Sequence, residues 1–230
     1  MTGPKIYIGY DSREDIAFQV CRSSLHRMSN ASLQVHVLRQ PALRELGLYT
    51  RPFDSNSTTE FSLTRFLTPY LAASDEWVVF VDCDFLFTAD IAKLLAQLDR
   101  SKAVYVVQHE YQPRSVSKMD SQKQTAYPRK NWSSFMVFNG AHADVKGLTP
   151  SVVNTASPAF LHRLSWTTDD AIGSLPLGWN FLVGEYDRPA MVPSAIHYTL
   201  GGPWFPNCHD VDYADLWLAE RDRLPRDLAA

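Results

Sequence analysis

The sequence predicts a single α/β domain, residues 1–230, with a mostly parallel central sheet flanked by helices. Three observations predict it. Trp77 to Val81 (WVVFV) is β-branched and aromatic with no polar alternation, as expected of a strand buried on both faces of a parallel sheet. Lys5 to Met28 reads as strand, short polar turn and helix, the opening of a nucleotide-binding α/β unit. The chain of 230 residues is long enough for a substantial core, and no Pro/Gly/Ser-rich linker divides it.

In order, Lys5 to Tyr10 (KIYIGY) is the first strand, ending at Asp11-Ser12, and Ile16, Ala17, Val20, Cys21, Ser24, Leu25 and Met28 follow with helical spacing. The turn between them faces the crevice beyond the strand ends, where open α/β sheets bind ligands. Gly9, Tyr10 and Asp11 are thus candidates to touch a base or ribose, while Asp11 is equally suited to capping the helix. Leu33 to Leu38 is a second strand, and Pro41 to Phe53 connects it onward. Phe61 to Leu71 is helical, with Arg65 the cation among its apolar residues. Two readings fit Arg65: a guanidinium directed at carboxylate or phosphate oxygens, or a solvated residue on an amphipathic helix.

Asp82 and Asp84 interrupt the next apolar run, WVVFVDCDFLF, at the carboxyl end of its strand. Two carboxylates so close repel unless a cation holds them, and hard oxygen ligands suit Mg²⁺ or Mn²⁺ carrying a diphosphate. The pair is therefore read as a metal and nucleotide site. A strand end followed by a helix cap is the plainer alternative, although an acidic interruption of a core element costs stability unless its charges are used. Cys83 lies between the aspartates within the same ligand-binding tripeptide, its own side chain packing to the opposite side as a small apolar residue. Thr88 is expected to cap a helix made by Ile91, Leu94, Leu95 and Leu98.

Ala103 to Gln108 is a further strand. His109 to Asn131 is a long polar segment with a local excess of positive charge, read either as a mobile loop that draws in an anionic substrate or as a solvated mobile loop. Trp132 to Asn139 is another strand, with Ser133, Ser134 and Asn139 offering neutral hydrogen-bonding groups. Helical signals follow at Ser151 to Ala156 and Pro158 to Trp166. Asp169 and Asp170 form a second acidic pair, suited either to sugar hydroxyls and positive charge on a sugar ring, or to capping a short helix from Ala171. Ile196 to Thr199 is a short strand with His197 a candidate third metal ligand. Gly201-Gly202-Pro203 then turns sharply, its glycines permitting close backbone approach to a ligand, and Trp204 gives a stacking surface. Residues 210–230 read as an amphipathic helical tail packed on the domain.

A net charge of −3 gives no general attraction to nucleic acid. Three cysteines, Cys21, Cys83 and Cys208, lie in no metal spacing and suit a reduced, cytoplasmic setting. No signal pattern or membrane-spanning apolar run is evident.

The order of the Arg65 helix, VFVDCDFLF, WSSFMVFNG, the acidic pair before GSLPLGWN, and IHYTLGGPW resembles the GT-A glycosyltransferases, in particular the family 8 group that includes glycogenin and bacterial lipopolysaccharide galactosyltransferases. The resemblance runs from Lys5 to about Trp204 and rests most on DCD and HYTLGGPW. It implies a GT-A, Rossmann-like fold and retaining transfer from a UDP-sugar to a hydroxyl of a glycan, lipid-linked or other acceptor. Mn²⁺ (or Mg²⁺) would be bound by Asp82, Asp84 and His197, Arg65 would lie close to the donor, and Asp169 or Asp170 near the transferred sugar. Two departures stand out. The family ending H-x-x-G-x-x-K-P-W supplies a lysine to the diphosphate, which His197-x-x-x-Gly201-Gly202-Pro203-Trp204 lacks, so another cation, such as one from the 114–130 loop, would have to serve. Thr168-Asp169-Asp170 also replaces the family's Asp-Gln pair, as in a divergent sister group. Competing readings are an aspartyl-nucleophile phosphatase, which normally has Thr or Val where this chain has Leu86, a nucleotidyltransferase, which needs a basic Gly-rich loop where this chain has YDSRED, and an inactive nucleotide-sugar-binding module.

Overall fold

The computed structural model describes residues 3–53, 59–110 and 128–225. Its central sheet has six strands, β1 (Lys5–Gly9), β2 (Gln34–Leu38), β3 (Trp77–Val81), β5 (Val104–Val106), β6 (Phe135–Asn139) and β7 (Ile172–Ser174), in the order β2-β1-β3-β6-β5-β7. β1 pairs in parallel with both β2 and β3, β5 pairs in parallel with β7, and β6 runs antiparallel to its neighbours β3 and β5. The sheet is thus mostly parallel. All five residues of β3 are buried, which is why that stretch shows no polar alternation. β2 sits at the sheet edge and exposes His36 and Val37.

A smaller sheet, β4-β9-β8, is formed by β4 (Phe85–Phe87), β8 (Phe181–Leu182) and β9 (Ala195–His197). The helix Asp15–Met28 buries Ala17, Phe18, Val20, Cys21, Ser24 and Leu25, and Ser24 Oγ accepts from Phe87 N at 3.0 Å, tying the helix to β4. The helix Ala214–Arg221 docks on the same helix through Glu220, which accepts from Ser23 Oγ at 2.7 Å and Arg27 Nε at 2.6 Å.

The structure differs from the sequence reading in several places, among them Trp132–Ser134, a 3-10 turn ahead of β6 where the strand was expected to begin. The helix Ile91–Leu95 is capped by Asp90, whose side chain accepts from Ala92 N at 3.0 Å, whereas Thr88 donates its hydroxyl to Pro193 O. Phe61 to Leu71 is a turn, a 3-10 segment (Thr64–Leu67) and a separate helix (Thr68–Ala72). Pro69, near the start of that helix, has no N–H to continue the preceding segment. In place of a helix from Ala171 the chain enters β7. Gly173 lies against Tyr105, where a Cβ would come within 2.2 Å of the ring, so the missing side chain lets this edge strand close on β5. Most of the 109–131 segment, residues 111–127, lies outside the described residues, as do residues 226–230 of the tail. Among the described residues no helix is long and apolar enough to cross a membrane.

Candidate metal centre

The carboxyl end of β3 is pinned to the start of β6, with Asp82 N donating to Ser134 O at 2.9 Å. Asp82 and Asp84 follow in the short turn between β3 and β4, with Cys83 between them wholly buried. The third group arrives from far along the sequence. β4 and β9 pair antiparallel with Phe85 opposite His197, and Tyr198 N donates to Asp84 O at 3.0 Å. His197 stacks on Phe85 with centroids 4.3 Å apart, and its Nε2 lies 3.2 Å from Asp84 Oδ2. One ligand atom from each of Asp82, Asp84 and His197 lies within 4.8 Å of the other two. Two carboxylates and an imidazole nitrogen converging at that spacing are a donor set that fits a Mn²⁺ or Mg²⁺ ion.

Arg65 is buried beside this group. Its Nη1 is 2.9 Å from Asp82 Oδ1 and donates to Ser133 O at 2.8 Å, and the guanidinium lies 5.2 Å and 5.0 Å from the ring centres of Phe61 and Phe80. Of the two sequence readings, the geometry matches a guanidinium directed at a carboxylate. His162 reaches the same patch, with Nδ1 2.9 Å from Ser133 Oγ. Burial, and then the Arg65 charge, depress its pKa to about 3, so this imidazole is neutral.

Ile8 pairs with Val81, so Gly9, the last residue of β1, and Tyr10 and Asp11 after it lie at the same sheet edge as Asp82. Their side chains are engaged in structure there. A Cβ at Gly9 would come within 2.5 Å of the Phe61 ring. Tyr10 donates its hydroxyl to Asp15 at 2.7 Å and lies under Arg39, 3.7 Å from the ring centre. Asp11 caps the 3-10 turn Ser12–Glu14, accepting from Arg13 N at 3.0 Å, Arg13 Nε at 2.9 Å and Nη2 at 2.7 Å, and Glu60 N at 3.2 Å. Burial pushes its pKa up, but the bonds from Arg13 and from the Glu60 amide outweigh that and hold it below the ordinary value.

One acid escaped the sequence reading. Glu14 Oε2 accepts from Cys83 Sγ at 3.3 Å, which brings this carboxyl against the DCD tripeptide. Burial, followed by the charge of Asp84, raises its pKa to about 8. The available signal was its place in the SRED turn, three residues after Asp11 at the ligand-binding edge.

After β9, Gly201 has φ of 112°, a backbone conformation that favours glycine, and a Cβ at Gly202 would come within 2.0 Å of the Trp204 ring. Trp204 packs on Tyr198 and Trp217, with ring centres 5.8 Å and 5.3 Å away, so its ring serves an aromatic cluster beneath the turn. Asp169 and Asp170 are not brought to the centre. They precede β7, which runs in the same direction as β3, and Asp170 O accepts from Lys102 Nζ at 2.7 Å just ahead of β5. They therefore occupy the amino-terminal edge of the sheet, opposite the aspartates that follow β3. Asp169 is exposed and pairs with Arg129. Of the loop cations, Arg114, Lys118 and Lys123 lie outside the described residues, and Lys130 is buried.

No model of a known protein family matches the chain. It is 46% identical over 228 residues to Protein CDI of Arabidopsis thaliana, covering 97% of this chain and 88% of that protein. Among solved structures it is similar to the WbbM bifunctional glycosyltransferase, with a TM-score of 0.70, 18% identity and 97% of this chain covered. It spans only 50% of the WbbM chain. It is also similar to the galactosyltransferase LgtC in complex with donor and acceptor sugar analogues, with a TM-score of 0.60, 10% identity, and 97% of this chain and 98% of that one covered. At such identities these likenesses concern the fold, whereas the likeness to the plant protein concerns descent. The chain belongs to the family of Protein CDI and has the GT-A fold of the glycosyltransferases.

Proposed function

We propose that this protein is a metal-dependent glycosyltransferase that moves a sugar from a UDP-sugar to a hydroxyl of a glycan, lipid-linked or other acceptor, with retention of the anomeric configuration. The observation that carries this reading is the convergence of Asp82, Asp84 and His197 at the carboxyl edge of a GT-A sheet. Three protein ligands leave coordination positions open, as a cation shared with a substrate diphosphate requires. When bound, Mn²⁺ or Mg²⁺ supplies charge neutralisation for the departing diphosphate.

The chain's own residues supply position and charge. Arg65 holds Asp82 in one orientation, and the β4–β9 pairing holds His197 against Asp84. Lys130 enters as the cation that stands in for the lysine absent after Gly202. It is buried immediately before Asn131, whose carbonyl accepts from the same Asn180 that contacts His197. Retention is supported by the family 8 resemblance.

Incubation with a panel of nucleotide sugars and Mn²⁺, following release of free nucleoside diphosphate, tests the reading. Release from a UDP-sugar that EDTA abolishes is the expected result, and proton NMR of the product's anomeric signal reports retention. Phosphate release from simple esters would instead indicate a phosphatase. Stabilisation by UDP with no turnover would indicate a binding module.

A further inference from the structure

The geometry points to Asn180 as the residue that fixes the tautomer and aim of His197, so that Nε2 is the nitrogen offered to the metal. His197 Nδ1 lies 2.8 Å from Asn180 Oδ1, and both side chains are buried. An amide can be turned end for end, which would reverse the argument, but here its other end is determined. Asn180 Nδ2 faces Asn131 O at 3.2 Å, and a carbonyl oxygen only accepts. It also donates to Ser134 Oγ at 2.9 Å, whose own proton is directed to Asn131 O at 2.7 Å. The Asn180 NH₂ is therefore committed to the Asn131 side and its oxygen to His197. An oxygen that accepts from Nδ1 requires the proton there, leaving the Nε2 lone pair facing Asp84 Oδ2.

Asn180 is thus a positioning residue for His197. Outer-shell partners of this kind orient a histidine ligand and raise its basicity, and their loss typically weakens metal binding about 10–100-fold. Both the tautomer and that consequence rest on the proposed metal reading, because a cation between Nε2 and the Asp84 carboxylate 3.2 Å away is what leaves Nε2 without a proton. The carbonyl shared by Ser134 and Asn180 belongs to Asn131, whose backbone is left-handed, φ 62°, ahead of β6.

Long-range ¹H–¹⁵N NMR of the His197 ring in protein saturated with diamagnetic Mg²⁺ tests the inference. The wild type is expected to show Nδ1 protonated and Nε2 without a proton. Asn180→Leu is expected to move the ring toward the Nε2–H form and to weaken Mn²⁺ binding, read by calorimetry, by at least about tenfold. Asn180→Asp, which keeps an acceptor for Nδ1–H, is expected to preserve both, a split that a merely structural role would not produce. Should the leucine variant not fold, Asn180→Ala takes its place. An Nε2–H ring in the wild type, or an apolar variant with unchanged tautomer and Mn²⁺ affinity, overturns the assignment. Failure of the wild type to bind Mn²⁺ or Mg²⁺ overturns the proposed metal site, whereas an Nε2–H ring in metal-saturated protein overturns the Asn180 assignment alone.

Discussion

Arg65 and Asp82 form a 2.9 Å ion pair in which both side chains are largely withdrawn from water, 7% and 13% exposed. Breaking such a pair from one side strands the other charge in a low-dielectric site, which typically costs about 3–5 kcal/mol. Arg65→Met keeps the stem packed on Phe61 and Phe80 but deletes the charge. Its urea-unfolding free energy is expected to fall by about 3 kcal/mol, and replacing Asp82 by leucine in the same chain is expected to recover part of that loss. A variant with wild-type stability would mean that the pair is not formed in solution.

Metal binding to the folded state alone must raise its stability. At a Mn²⁺ concentration of about 100 times the dissociation constant the gain is about 2.7 kcal/mol, or several degrees of melting temperature in a domain of this size. Asp84→Asn and His197→Ala are each expected to abolish the Mn²⁺-dependent shift in differential scanning fluorimetry, and EDTA to return the wild type to its metal-free value. An undiminished shift in His197→Ala would remove that residue from the ligand set.

How far the sequence disclosed this site follows from the distance over which each contact forms. Asp82 and Asp84 were legible because β3 is buried on both faces, so a polar interruption at its end stands out. His197 was legible only as a candidate, since the β4–β9 pairing that brings it to Asp84 spans more than a hundred residues. Asn180 passed as an ordinary residue because its role exists only once Asn131, Ser134 and His197 surround it. The alternative of a helix from Ala171 gives way to a strand for a similar reason. A local acidic cap signal pointed one way, and an edge position beside β5, open to a strand with glycine opposite Tyr105, decided the other.

Glu14 gives stability a pH dependence whose sign is the reverse of an ordinary ion-paired acid. Its pKa rises from 4.5 to about 8 on folding, so between those values the native chain holds a proton that the unfolded chain releases. Its stabilising contribution is complete below pH 4.5 and is lost as pH rises through about 8. In metal-free protein, Glu14→Gln is therefore expected to gain on the wild type in urea midpoint as pH is raised from about 5 to about 8.5. Parallel midpoint curves for the two proteins would show that Glu14 ionises normally in the fold.

Asp169 and Asp170 separate sequence analogy from geometry most directly. The family resemblance implies a position near the transferred sugar, yet they precede β7 at the edge of the sheet opposite Asp82, held by Arg129 and Lys102. A carboxylate must reach the reacting carbon to stabilise charge there, and its influence through an aqueous path is screened within about 8–10 Å. Asp169→Asn and Asp170→Asn are accordingly expected to keep nucleoside diphosphate release within about twofold of wild type, whereas Asp82→Asn and Asp84→Asn lose it by several orders of magnitude. Exposed surface substitutions of this kind should also leave stability within about 0.5 kcal/mol. A large fall in turnover for Asp169→Asn at unchanged stability would place the acidic pair at the reacting sugar and require β7 to leave the sheet when substrate binds.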